Sequence, residues 1–93
     1  GMSYDGHAAL LESLRANPQA TMVQIDAVKS AAAANWFTSD QAVAILYTIG
    51  YDLVREEAIA AMYPKICDPQ NWFKVFNTID NYAVRSDLQE KYK

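Results

Sequence analysis

The sequence predicts an all-α fold of about six helices, arranged as three stacked antiparallel helix pairs in a helical-repeat-like bundle. Three observations carry that expectation. Apolar residues recur at helical spacing along most of the chain, capping residues punctuate them at short intervals, and caps and core positions recur together farther along. The most apolar stretch, Asn35 to Gly50, reads as the central helix. Ala42, Ile45, Leu46 and Ile49 form its main stripe, and Val43 and Tyr47 extend that stripe onto a second face.

Taken in order, Ser3 caps a first helix from about Tyr4 to Arg15, with Asp5 in its first turn and His7, Leu10, Leu11 and Leu14 on one face. Asn17 and Pro18 end it. Thr21 and Gln24 have the spacing of a capping box for a second helix, whose inner face is Ile25, Val28 and Ala32 and whose small residues Ala31 to Ala34 permit a close helix approach. Thr38 and Gln41 make a second capping box, which opens the central helix. Asp52 is the expected cap of a fourth helix with Val54, Ala58, Ala61 and Met62 inward and Arg55, Glu56 and Glu57 facing water. Pro64 is expected to stop or kink it near Tyr63. Asp68-Pro69 is a helix restart, with Trp72, Val75, Phe76 and Ile79 on the buried face. A sixth helix, Ala83 to Lys91, closes the chain.

Two identical triplets, Asn35-Trp36-Phe37 and Asn71-Trp72-Phe73, invite a repeat alignment, but the pattern beyond them breaks. A shift of 30 keeps caps and core together: Thr38 meets Asp68, Ile45 meets Val75, Leu46 meets Phe76, Thr48 meets Thr78, Ile49 meets Ile79 and Arg55 meets Arg85. A shift of 35 brings Ser3, Leu10, Leu11 and Leu14 onto Thr38, Ile45, Leu46 and Ile49, with an insertion at Pro18 to Thr21. Each pair would bury its apolar face against its neighbour.

With 93 residues, 52% of them hydrophobic and 20% charged, the chain is expected to form one domain over residues 2–93. Gly1 ahead of Met2 is read as a residue left by tag removal. The N-terminus lacks the basic region and apolar core of a secretory leader, and no apolar run is long enough to span a bilayer. A lone cysteine, Cys67, makes no internal disulfide and fits a soluble protein in a reducing, cytoplasmic setting. A net charge of -3 argues against a nucleic-acid partner, because phosphate neutralisation needs clustered cations.

The segments Trp36-Phe37-Thr38-Ser39-Asp40-Gln41, Ile45-Leu46, Tyr63-Pro64 and Asp68-Pro69-Gln70-Asn71 resemble the all-helical family DUF4476, from about Val28 to Leu88. The Asp-Pro-Gln-Asn turn is the most specific part. Members of that family tend to carry an aromatic where this chain has Ile49, which keeps an apolar core position. The resemblance implies a fold and brings no catalytic motif with it.

Residue chemistry points the same way. His7 has no cysteine, carboxylate or second histidine at ligand spacing, so it is expected to be partly buried with one ring nitrogen hydrogen-bonded. Cys67 follows Ile66 and reads as a packed thiol. Asp80, Asn81, Asp87 and Glu90 fail as an EF-hand because Tyr82 and Arg85 stand where a ligand and the turn glycine are required. Glu56 and Glu57 diverge by about 100° on a helix and cannot act as a paired acid and base.

The aromatics are more informative: two tryptophans, six tyrosines and three phenylalanines exceed what six short helices can hide. Trp36, Tyr51, Trp72 and Tyr82 fall at or near helix ends and are the candidate partner-binding residues. The expected function is therefore a noncatalytic protein-interaction or scaffold module, bound to a protein partner or to itself, with no cofactor and no metal. Two alternatives are a small carboxylate-dependent hydrolase or metal-dependent enzyme, and a lipid- or calcium-responsive adaptor. The first would need His7 in a pocket, or several of Asp40, Asp52, Asp68 and Asp80 converging. The second rests on outline similarity to annexin repeats.

Overall fold

Side-chain caps place three of the helix starts in the computed structural model, which describes residues 1–93. The Gly6 N–H donates to Ser3 Oγ at the start of α1 (Tyr4–Ala16). Helix α2 (Thr21–Ala34) follows, and α3 (Ser39–Tyr47) opens with the complete Thr38–Gln41 capping box. Helix α4 (Asp52–Met62) runs into a single 310 turn at Tyr63–Lys65, then a 310 helix at Pro69–Thr78, then α5 (Tyr82–Lys91). The chain is all-α. Its one β-type contact is an isolated parallel bridge in which the Phe37 N–H donates to Lys65 O and the Cys67 N–H to Phe37 O.

Helix α3 lies at the centre, packed against α1, α4 and the 310 helix, while α2 packs on α4 and α5 on the 310 helix. Ala42, Ile45, Leu46 and Ile49 are fully buried there, as the main stripe requires. Tyr47 instead faces water at 62% exposure, so the second face is half-polar rather than a further contact surface. The helix also ends at Tyr47, because Thr48 Oγ1 and the Thr48 N–H both turn back to Ile45 O. The molecule measures 31 × 29 × 17 Å. Its short dimension suits two helix layers, since packed helix axes lie about 8–10 Å apart.

Three capping expectations are corrected by where the polar side chains go. Ala20, not Thr21, occupies the cap position of α2, and no side-chain cap forms. Gln24 is fully buried and donates instead to Leu14 O at 3.1 Å and Thr48 O at 3.3 Å. Tyr51 holds the cap position of α4, and the Asp52 carboxylate accepts from the Asp80 N–H at 3.1 Å and the Asn81 N–H at 2.8 Å. Asp68 does not cap its own 310 helix. It accepts from the Ser39 N–H at 2.6 Å and the Ser39 hydroxyl at 3.0 Å, because the first turn of α3 presents free N–H groups and the positive end of the helix dipole.

The fifth helix is 310 rather than α. Three residues per turn stack Trp72, Val75 and Thr78 along one line, and all three are buried. Arg55, expected in water, is buried as well. Its Nε donates to Leu46 O at 3.2 Å and Ile49 O at 2.7 Å, and its Nη1 donates to Thr78 O at 2.8 Å and to Asp52 and Asp80 at 3.3 Å each. Cys67, expected to be packed, is exposed: alternation along the Phe37–Ile66 bridge turns Ile66 partly inward and Cys67 outward.

One hydrogen-bonding device recurs in all three pairs. The carbonyl of the last core residue before each turn accepts from a long side chain on the next helix: Leu14 O from Gln24, Ile49 O from Arg55, and Ile79 O from Arg85 at 2.9 and 2.6 Å. Thr48 Oγ1 and Thr78 Oγ1 likewise each donate at 2.7 Å to the carbonyl three residues back. The sequence separation is 6 residues in the second and third pairs and 10 in the first, so the Pro18–Thr21 insertion is absorbed before Gln24.

Candidate functional site

The 310 turn, the 310 helix and the end of α5 line an open-sided cavity of about 720 Å³, within the range of roughly 300–1,000 Å³ usual for ligand pockets. The sequence folds this way because Pro64 and Pro69 tighten the backbone on either side of the Phe37–Ile66 bridge, so consecutive aromatics converge. Tyr63, Trp72, Phe73, Phe76 and Tyr92 form the walls with Ile66 and Pro69, and Gln70, Gln89 and Lys93 stand among them as the polar lining. The Tyr63 ring lies 5.4 Å from Trp72 and 4.8 Å from Tyr92, and Trp72 meets Phe76 edge-on at 6.0 Å. Such spacings are favourable for ring quadrupoles and fix the walls against one another.

Two kinds of group remain unmatched here. The Trp72 Nε1–H is buried and has no acceptor. Phe73 and Tyr63 stay 63% and 42% exposed, although both are large apolar rings. Beside the cavity, Lys65 Nζ lies 4.7 Å from the centre of the Trp36 ring, and Lys91 Nζ lies 5.4 Å from that of Tyr92. Both are cation–π contacts, and neither lysine forms a salt bridge.

The structure does not gather the four candidate partner-binding residues into one place. Trp72 is in the cavity wall and largely buried. Trp36 is exposed and does not line the cavity, although its neighbour Phe37 bridges to Ile66 of the wall. Tyr51 is half exposed and donates to Gln19 Oε1 at 3.1 Å, away from the cavity. Tyr82 projects into solvent at the start of α5. Sequence reasoning missed Tyr63, Phe73 and Tyr92. At 3.6 residues per turn Phe73 lies about 100° from Trp72, so only a three-residue turn would have set Phe73 above Phe76.

The polar residues weighed for catalysis are held by backbone groups or by basic side chains. His7 Nε2 lies 3.1 Å from Gln41 O. Asp40 meets Lys74 at the surface at 3.4 Å. Burial opposes ionisation of Asp52, yet hydrogen bonds from the Asn81 and Asp80 N–H groups and from Arg55 outweigh it and hold its pKa below the ordinary carboxylate value. Asp68 is lowered in the same way: desolvation is outweighed by the Ser39 N–H, the Asn71 amide and the Ser39 hydroxyl. No three His, Cys, Asp or Glu side chains stand close enough together to share a metal ion. No helix is long and apolar enough to cross a membrane.

A family model described as "Domain of unknown function (DUF4476)" matches residues 2–92, which extends the resemblance across the first helix pair. No curated protein and no solved structure matches the chain.

Proposed function

The chain belongs to the DUF4476 family over nearly its whole length, and we propose that it is a noncatalytic protein-interaction or scaffold module built as three repeating helix pairs. The observation that supports this reading is the aromatic cavity, whose rings are held by mutual contact while Phe73 and Tyr63 remain open to solvent. Aromatic side chains presented rigidly around a concavity are the usual anchors of a protein interface. The convergent carboxylates hold backbone and Arg55 rather than an open site.

The test compares partners recovered by the wild-type domain and by a Phe73→Ala, Tyr63→Ala variant after matched expression and crosslinking. Phe73 makes the decisive substitution because its exposure spares the core. Specific partners are expected to be lost or weakened. If all of them survive the double substitution at full strength, the cavity is not the interaction site.

A further inference from the structure

We propose that the cavity takes an extended peptide segment in which an aromatic or large aliphatic side chain is flanked by carboxylates. This rests on the reading of the cavity as the interaction site and adds the chemistry of the occupant.

Charge complementarity carries the choice. The domain has more acids than bases, 11 to 8, yet one lysine lines this concavity and two more adjoin residues of its wall. Lys93 lines it, Lys91 stands over the Tyr92 ring, and Lys65 precedes Ile66 of the wall. Lys65 and Lys91 have no carboxylate partner, and Lys93 has only the exposed Glu90 at 2.8 Å. Asp68, half-buried, is turned toward Ser39 and Asn71 and is not part of the lining. The mouth is therefore cationic above an aromatic floor, and an occupant with an apolar anchor and flanking carboxylates matches both.

The hydrogen-bonding groups favour a peptide over a purely apolar ligand. Gln70 and Gln89 face each other's elements across the cavity and make no hydrogen bond within the domain through their side chains, so each offers both a donor and an acceptor. The Trp72 N–H lacks an acceptor in the folded chain. A peptide backbone brings a carbonyl and an N–H at every residue.

The experiment is a selection from a random peptide library displayed on phage, panned against the whole domain. Enriched peptides are then titrated by fluorescence polarisation against wild type, Phe73→Ala, and a triple Lys65→Gln, Lys91→Gln, Lys93→Gln variant. Thermal melts verify that both variants remain folded. The expected winners place Trp, Phe, Leu or Ile beside Asp or Glu. Phe73→Ala should weaken them at least about tenfold, the class of an interface anchor. The triple variant should weaken them several-fold and flatten the loss of affinity between about 50 and 500 mM salt, over which exposed charge attraction is screened.

Neutral or basic winners that depend on Phe73 and ignore the lysines would overturn this proposal while leaving the interaction reading intact. Winners indifferent to Phe73 would overturn both. Self-association seen by sedimentation, or binding to phosphatidylserine vesicles, would also overturn it if Phe73→Ala abolished that binding and no acidic peptide was selected.

Discussion

Arg55 shows how far a single side chain can depart from its helical-wheel position. Beside Glu56 and Glu57 it reads as part of a solvated face, yet it is buried and donates to three backbone carbonyls and two carboxylates. Replacing it with Met should cost about 3–5 kcal/mol in chemical denaturation, because the Ile49 and Thr78 carbonyls would lose their side-chain donor and Asp52 would lose its cation. Lys should not rescue it, since one ammonium cannot reproduce the planar fork. Asp80→Asn is the contrasting case: its side chain is 89% exposed, so the loss should stay below about 1 kcal/mol. The anchoring of Arg55 was not legible in the sequence because the carbonyls it serves become neighbours only after the pairs stack. His7, by contrast, was legible, with one ring nitrogen bonded as its position on the stripe suggested.

Among the elements, those bounded by local chemistry were the readable ones. Ser3 and the Thr38–Gln41 box act within their own turns, and both caps formed as spaced. Asp68 acts between elements, joining the start of the 310 helix to the first turn of α3. Asp68→Ala should therefore destabilise α3 rather than the 310 helix, by about 1–2 kcal/mol, the scale of a lost N-cap, with the earliest rise in amide exchange at the start of α3. The same group predicts a pH dependence. Asp52 and Asp68 have pKa values lowered on folding, so the unfolded chain binds more protons than the folded one in acid. Their stabilisation is complete above the unfolded carboxylate pKa of about 4 and is lost as pH falls through the lower folded values. Urea midpoints measured between pH 6 and 2.5 should drop most steeply below about pH 4, and Asp68→Asn should make that drop shallower. The 310 form of Pro69–Thr78 was hidden because its buried residues also fit an α-helical stripe.

The whole molecule has one continuous core that runs from Leu14 through α3 to Leu88. No pair holds a separate core, which predicts a single cooperative unfolding transition seen alike by far-UV circular dichroism and tryptophan fluorescence. Leu46→Ala, in the fully buried centre, should cost about 2–5 kcal/mol, and α3 amides should be the slowest to exchange. All-helical architecture and a central α3 were legible because they follow from periodicity. The cavity was not, since it depends on two prolines and a bridge between Phe37 and Ile66 that lie far apart in sequence.

The recurring carbonyl receptor also bears on how such a chain tolerates inherited change. A carbonyl oxygen accepts from any donor that reaches it, and here a neutral amide from Gln24 fills the role that guanidinium groups of Arg55 and Arg85 fill elsewhere. For this one bond the requirement is reach, whereas Arg55 serves two further carbonyls and two carboxylates besides. Likeness between the three pairs can therefore thin to a few letters while the bond that closes each pair is kept.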